Sequence, residues 1–317
     1  MGTTSAPMSR PPSLTRPAAP PRRPAAARRF SFTRHSTPAR WFSEIGWRHL
    51  VGVLAVLYAG FPLVYVVSAS LADGGTLTGS NDLFASVSGA NYVALGGTRF
   101  WTWMGNTLVV AVATGVGTVL MGAAAAYAFS RFRFSGRRVG LTALLVIQMF
   151  PQMLAFVAIF LLLISLGNVV PVLGLDSKLS LICVYLGGAL GVNTFLMYGF
   201  FNTVPREIDE AAKIDGASHA QIYWTIVLRL TAPILAVVGL LSFISTFGEF
   251  IIARVLLQSE ESWTLAVGLY GWVSSLQDAN WGLFTAGAVV SAVPVLALFL
   301  FLQKYIVGGL TAGSVKG

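Results

Sequence analysis

The densest run of residues able to do chemistry lies between Phe201 and Ala232. There Arg206, Glu207, Asp209, Glu210, Lys213, Asp215 and Arg229 interrupt an otherwise apolar chain. No nucleophile–base–acid set can be assembled around them. The three histidines, His35, His49 and His219, are scattered and read as ordinary surface residues. The single cysteine, Cys183, sits in an apolar run, so neither an internal disulfide nor a Cys/His metal cluster is available. A phosphate cradle needs a Gly before its lysine, and none of Lys178, Lys213, Lys304 and Lys316 follows a Gly. Gly115-x-Gly117 lacks the third Gly of a dinucleotide fingerprint and lies within an apolar run. The chain therefore carries no catalytic residue, no metal site and no cofactor of its own. Two uses remain for the charged segment: a face that another protein's groove can grip, or a solvated amphipathic loop.

The local chemistry of that segment predicts a short helix, a glycine break and a second helix. Pro205 suits a first helical turn. Glu207, Asp209 and Glu210 follow near the N-terminal end, where acids complement the helix dipole by about 0.3–1 kcal/mol each. Gly216 can take the positive φ of a helix end. Ala211 and Ala212 keep one face small, so a groove can approach closely.

The elements that hold this knuckle are apolar. The chain is 55% hydrophobic and 10% charged, well below the roughly 25% charge of a soluble domain, so lipid is its main solvent. Six blocks approach or exceed the ~20 residues needed to cross a hydrocarbon core: Leu50–Leu71, Gly105–Ser130, Val139–Leu166 with Pro151 inside, Leu179–Phe201, Pro233–Leu257 and Trp281–Gln303. The first is too long for a typical cleaved signal and reads as a retained helix. Gly187 and Gly191, and Gly115, Gly117 and Gly122, suit close helix approach. Residues 1–47 form a Pro- and Arg-rich tail with too little apolar surface to fold. If six helices alternate from a cytoplasmic N-terminus, 18 of the 21 Lys and Arg fall inside, leaving Arg99, Lys178 and Arg254 elsewhere. That agrees with the positive-inside bias and puts both termini and the 201–232 loop in the cytoplasm. The net charge of +9 thus reads as anchoring, not as nucleic-acid binding.

Glu210-Ala211-Ala212-x-x-Asp215-Gly216-Ala217, followed by Ile226-x-Leu228 and Pro233, resembles the EAA loop of bacterial ATP-binding-cassette (ABC) importer permeases. Gly309–Gly317 and Thr264–Gly268 are similar to the maltose and maltodextrin permeases within that family. The likeness covers about residues 48–317. It implies an all-α, six-helix membrane domain in the bacterial plasma membrane, embedded in lipid, with a cytoplasmic coupling loop at 201–232 and a C-terminal tail at 304–317. It implies three partners: a second permease subunit, a homodimeric ABC ATPase that uses ATP and Mg, and an extracytoplasmic sugar-binding protein. Glu210, Ala211, Ala212, Asp215, Gly216 and Ala217 would then couple to the ATPase. Leu310, Thr311, Gly313, Lys316 and Gly317 would be tail contacts to it. Maltose or maltodextrin leads as cargo, with trehalose or another oligosaccharide open. One departure stands out: Arg229 occupies a position where the family usually has Pro.

Other polar residues carry two readings each. Glu249, inside the fifth block, is either a pathway or subunit contact or a hydrogen-bonded structural acid. Trp263, Tyr270 and Trp272, in the predicted outer loop 258–280, either contact the binding protein or serve as interfacial and packing aromatics. Asn193 and Gln148 suit interhelical hydrogen bonds better than a pathway. An ion-coupled secondary transporter would need several ionisable groups within the membrane and often an internal repeat; Glu249 stands nearly alone, and no repeat is evident. A scaffold without transport leaves the charged knuckle unexplained.

Overall fold

The structure, a computed structural model, describes residues 45–72, 83–150, 152–274 and 279–312, together with Gly2. Most of the expected tail 1–47, and Gly313, Lys316 and Gly317, lie outside the described residues. Among the described residues every regular element is helical. The principal helices are α1 (Trp47–Ser70), α2 (Ala90–Leu95), α3 (Phe100–Arg131), α4 (Arg137–Gln148), α5 (Gln152–Gly167), α6 (Lys178–Phe201), α7 (Arg206–Ile214), α8 (His219–Leu230), α9 (Ala232–Phe247), α10 (Ile251–Leu256), α11 (Leu265–Gly271) and α12 (Trp281–Ala312). Within α8, Ile222–Val227 is wound as a π-helical turn.

Four of these, α1, α3, α6 and α12, are long and apolar enough to cross a membrane. The pair α8 and α9, bent by 78°, supplies a fifth if taken as one span. Two of the six expected blocks are interrupted. The third is two helices, α4 ending at Gln148 and α5 resuming at Gln152. Pro151 lies in that gap in the sequence, and a proline has no N–H to continue a helical ladder. The fifth stops at Phe247 and restarts at Ile251, leaving Gly248, Glu249 and Phe250 outside either helix.

The chain falls into two compact units, Met1–Leu57 and Tyr58–Gly317. The described part of the first is the opening of α1, where Leu50, Val53, Val56 and Leu57 are all exposed. Lipid or another apolar helix must cover such a surface. In the second unit α3 is the axis: it packs most extensively on α6, then on α9. Its start joins one buried cluster with Phe100, Trp103, Phe247 and Leu265. Its end joins another with Tyr127, Met197, Phe201, Ala212 and Val227. Trp103 and Tyr127 are 24 residues apart, about 36 Å at 1.5 Å per residue, against a hydrocarbon core of about 30 Å. The two clusters therefore belong to opposite ends of a membrane-sized rod.

Small residues set the helix spacing where they do face a neighbour. A Cβ on Gly191 would lie 2.7 Å from the Leu144 carbonyl of α4 and 2.5 Å from Gln148 Cγ. One on Gly115 would meet the Gly239 carbonyl at 3.5 Å. Gly187 has nothing within 4 Å, so the G-x-x-x-G pair is not one contact. Gly191→Val should accordingly lower stability by about 1–3 kcal/mol, read as an earlier loss of helical circular dichroism on heating. Gly187→Val should leave the melt unchanged, and equal melts for both variants would refute this packing.

Candidate functional site

The charged segment folds as its residues dictate. Pro205, with φ −56° and ψ 138°, precedes α7, and Glu207 and Asp209 fill its first turn while Lys213 sits in its last. The helix stops in a Schellman arrangement: the Ala217 N–H donates to the Ala212 carbonyl at 2.9 Å and the Gly216 N–H to that of Lys213 at 3.0 Å. Gly216 supplies the left-handed residue this stop requires, at φ +84°. Two residues later Ser218 starts α8 with a capping box: its hydroxyl accepts from the Gln221 N–H at 3.3 Å, and the Gln221 side chain accepts from the Ser218 N–H at 2.7 Å. Stop and start signals leave the turn between the two helices little freedom.

The knuckle is fixed to the end of α3 by charge. Arg131 Nε lies 2.6 Å from Asp209 Oδ2, with side chains only 5% and 9% exposed. Arg131 Nη2 also donates to the Val204 carbonyl at 3.1 Å. In return Arg206 Nη2 donates to the Ser130 carbonyl at 2.6 Å, satisfying one of the last carbonyls of α3. This places the expected residues on two faces. Ala212 is buried against Tyr127 and Met197, while Ala217 packs beside it, so the small face expected for Ala211 and Ala212 is shared. Glu210, Ala211, Asp215 and Gly216 are exposed. Ile214, four residues beyond Glu210, is 87% exposed. Sequence reasoning missed both Ile214 and the Arg131–Asp209 pair. It counted Arg131 as a membrane anchor and Asp209 as a dipole acid, and an apolar residue on a polar helix face was the available signal for Ile214.

At the other end of α3, loop 257–264 is pinned along the helix start. Trp103 Nε1 donates to the Glu260 carbonyl at 2.9 Å. Asn106 Nδ2 donates to the carbonyls of Glu261 and Trp263 at 2.8 and 2.9 Å. Thr107 Oγ1 accepts from the Leu265 N–H at 2.7 Å. Lys178 Nζ completes the set, donating to Asn106 Oδ1 at 2.8 Å. Two of the three expected contact aromatics are engaged in packing here: the rings of Trp263 and Trp272 lie 6.1 and 5.4 Å from that of Trp103. Tyr270 remains exposed, with its ring 4.8 Å from Phe250. Glu260 and Glu261, exposed and paired with Arg99 at 3.6 and 3.2 Å, add charge that the aromatics do not supply.

Glu249 occupies the break between α9 and α10. Its Oε1 accepts from the Ile252 N–H at 2.8 Å and its Oε2 from that of Ala253 at 3.1 Å, and Tyr185 donates to it from α6. The carboxylate is thus a helix cap. It also borders a cleft of about 290 Å³ shared with Asn193, Ser242, Ser245 and Thr246. Gln148 makes the expected bond between helices, to the Gly188 carbonyl at 2.6 Å, whereas Asn193 bonds within its own helix to Ala189. Leu310 and Thr311 fall within α12.

The architecture matches known proteins. The family described as "Binding-protein-dependent transport system inner membrane component" matches residues 118–311. The maltodextrin transport system permease protein MdxG of Bacillus subtilis is 39% identical over 284 residues, 89% of this chain and 100% of that protein. The galactooligosaccharides transport system permease protein GanQ of the same organism is 37% identical over 84% of this chain and 94% of its own. The maltose/maltodextrin transport system permease protein MalG of Vibrio parahaemolyticus is 38% identical over 81% of this chain and 90% of its own. Among solved structures, a bacterial ABC transporter involved in the import of the acidic polysaccharide alginate superposes with a TM-score of 0.71 at 27% identity, over 86% of this chain and 99% of that one.

Two predictions follow from these contacts. Arg131→Met or Asp209→Leu alone leaves one buried charge unpaired and should cost about 3–5 kcal/mol, whereas the double variant should recover most of the loss; additive melting shifts would disprove the coupling. Separately, partial burial pushes the Asp176 carboxyl up, but bonds from Ser259, Gln258 and Ser262 outweigh it and hold it below its ordinary 3.8. A depressed folded value gives stability that is complete above the unfolded value and lost as pH falls through the folded one. Protection of the Gln258 and Ser259 amides, corrected for intrinsic exchange, should therefore persist to about pH 4 and fall below it. Asp176→Asn should abolish that transition.

Proposed function

Because the chain belongs to the family of binding-protein-dependent transport system inner membrane components, close to the maltose and maltodextrin permeases, we propose that it forms half of the translocation pathway of an ABC importer for a maltodextrin-type oligosaccharide. It is a multi-pass membrane permease subunit of an ABC carbohydrate importer and not an enzyme. ATP and Mg would be used by a homodimeric ATPase, a second permease subunit would complete the pathway, and a sugar-binding protein would deliver cargo from outside. The family's own description, binding-protein-dependent, supports that last partner. The interrupted third and fifth blocks count as one crossing each in a six-span reading. With 18 of 21 basic residues on one side, that reading puts the knuckle, both termini and the 304–317 tail in the cytoplasm.

The observation that carries the coupling role is the rigid knuckle itself. Its inner face, Asp209 and Ala212, is committed to α3 and α6, and its outer face presents Glu210, Ala211, Asp215 and Ile214. An exposed isoleucine amid charges suits a partner's apolar pocket, which is the usual anatomy of an interface anchor. Leu310, Thr311, Gly313, Lys316 and Gly317 extend the same proposed contact. At the far end Tyr270, with the Glu260–Glu261 turn, is the better-exposed candidate for the binding protein; Trp263 and Trp272 would support it from beneath. A pathway role for Glu249 rests on its cleft alone. The secondary-transporter reading weakens further, since Glu249 already accepts three hydrogen bonds. As cargo, a galacto-oligosaccharide is favoured next by the 37% identity to GanQ, with trehalose a further alternative.

Glu210→Lys, Gly216→Trp and Ile214→Asp should each abolish co-purification with the cognate ATPase while the membrane helices stay folded by circular dichroism. In the reconstituted complex, maltodextrins should stimulate ATP hydrolysis more than galacto-oligosaccharides or trehalose. Uptake by the lone chain on a proton gradient would defeat the proposal.

A further inference from the structure

The turn between α3 and α4 forms a second charged feature that the coupling role does not use. Arg133, Arg137 and Arg138, with Gly136 and Tyr198, line a cleft of about 550 Å³ whose remaining wall is Phe134, Val139 and Leu141. Among the described residues no ion pair involves Arg133, Arg137 or Arg138. No Asp or Glu occurs between Asp82 and Asp176 in the sequence. Asp209, at the neighbouring end of α3, is paired with Arg131. Arg137 is held in place, with Nη2 donating to the Tyr198 hydroxyl at 3.0 Å and the guanidinium 5.7 Å from the ring centroid. Gly136, at φ +85°, starts α4 with no side-chain cap and no acid in the first turn, so the first amides of the helix add to the positive field.

We propose that this cleft binds the phosphate headgroup of an anionic phospholipid. Guanidinium groups match phosphate oxygens two at a time, and basic pockets between membrane helices suit acidic headgroups. The apolar wall decides between a lipid and a free phosphate ion. Phe134 and Val139 are exposed beside the arginines. Val146, seven residues beyond Val139 on the same helix face, and Ile147 are exposed as well. A soluble anion has no use for that strip, whereas acyl chains running down from a bound headgroup would cover it. The site lies where apolar helices end, which is the depth a headgroup occupies.

The test is native mass spectrometry of the full chain in detergent, titrated with dioleoyl phosphatidylglycerol, dioleoyl phosphatidylcholine or inorganic phosphate. Phosphatidylglycerol should bind about tenfold or more tightly than phosphatidylcholine. Arg133→Gln/Arg137→Gln/Arg138→Gln should erase that preference. The matching triple Lys variant, which keeps the charge and controls for folding, should retain most of it, and Arg48→Gln should leave it unchanged. Equal binding of the two lipids to the unaltered chain, or an undiminished preference in the Gln variant, overturns the proposal. Displacement of phosphatidylglycerol by inorganic phosphate at matched concentration also overturns it, by reassigning the cleft to a soluble anion.

Discussion

The buried contact between Arg131 and Asp209 is the constraint on which the rest of the molecule turns. Removing two charges from water is expensive, and such a pair adds little net stability over a well-packed apolar pair. Its use lies in geometry. Arg131 is the last residue of a 32-residue helix, and Asp209 is in the first turn of a nine-residue one. The 2.6 Å contact holds the two charges together, and the hydrogen bonds of Arg131 to the Val204 carbonyl and of Arg206 to the Ser130 carbonyl give the attachment of α7 to α3 its direction. An apolar contact would hold the two helices together but allow them to slide. If the knuckle does receive force from an ATPase, as proposed, these contacts are the ones that would pass it to α3.

That attachment matters because α3 packs on α6, α9 and α11. Its end packs with α6, α7 and α8 around Tyr127, and its start carries Trp103, Asn106 and Thr107, which hold loop 257–264 by hydrogen bonds to backbone. Side chain to backbone bonds of this kind fix a loop whatever its own sequence. An ATPase pressing on the knuckle and a binding protein seated on the far loop would thus act on two ends of one rod. The physical warrant for communication is rigidity at both attachments. A chain of loosely packed residues between the ends would dissipate the displacement before it crossed.

Much of this was legible in the sequence where a residue type has one strong physical preference. Pro205, the acids after it, and Gly216 specify the helix and its stop, and both stand as expected. Long apolar blocks located α1, α3 and α6 within five residues and the start of α12, which runs on past the expected end at Gln303 to Ala312. What was not legible depends on which face a residue turns. Hydropathy treats Val139–Leu166 as continuous because only Pro151 interrupts it, and one proline does not reveal whether a membrane helix kinks or ends. The acids of α7 look equivalent in sequence, but the helical period sends Asp209 and Ala212 inward and Glu210 and Ile214 outward. Trp263 and Trp272 look like exposed loop aromatics until Trp103 is found between them.

Glu249 shows how a costly residue can be retained for a structural reason and still leave a function open. A carboxylate within an apolar span needs donors, and the break after Phe247 provides two backbone amides at the start of α10, with Tyr185 adding a third bond from α6. The same break would be costly in lipid without an acceptor for those amides. Each feature therefore removes the penalty of the other. The arrangement also leaves a polar cleft lined by Asn193, Ser242, Ser245 and Thr246 along an otherwise apolar helix pair. A lipid-facing surface has no use for such groups, and Ser245 is exposed. The polar groups of this cleft, with the Glu249 carboxylate at its edge, are what the proposed pathway role rests on.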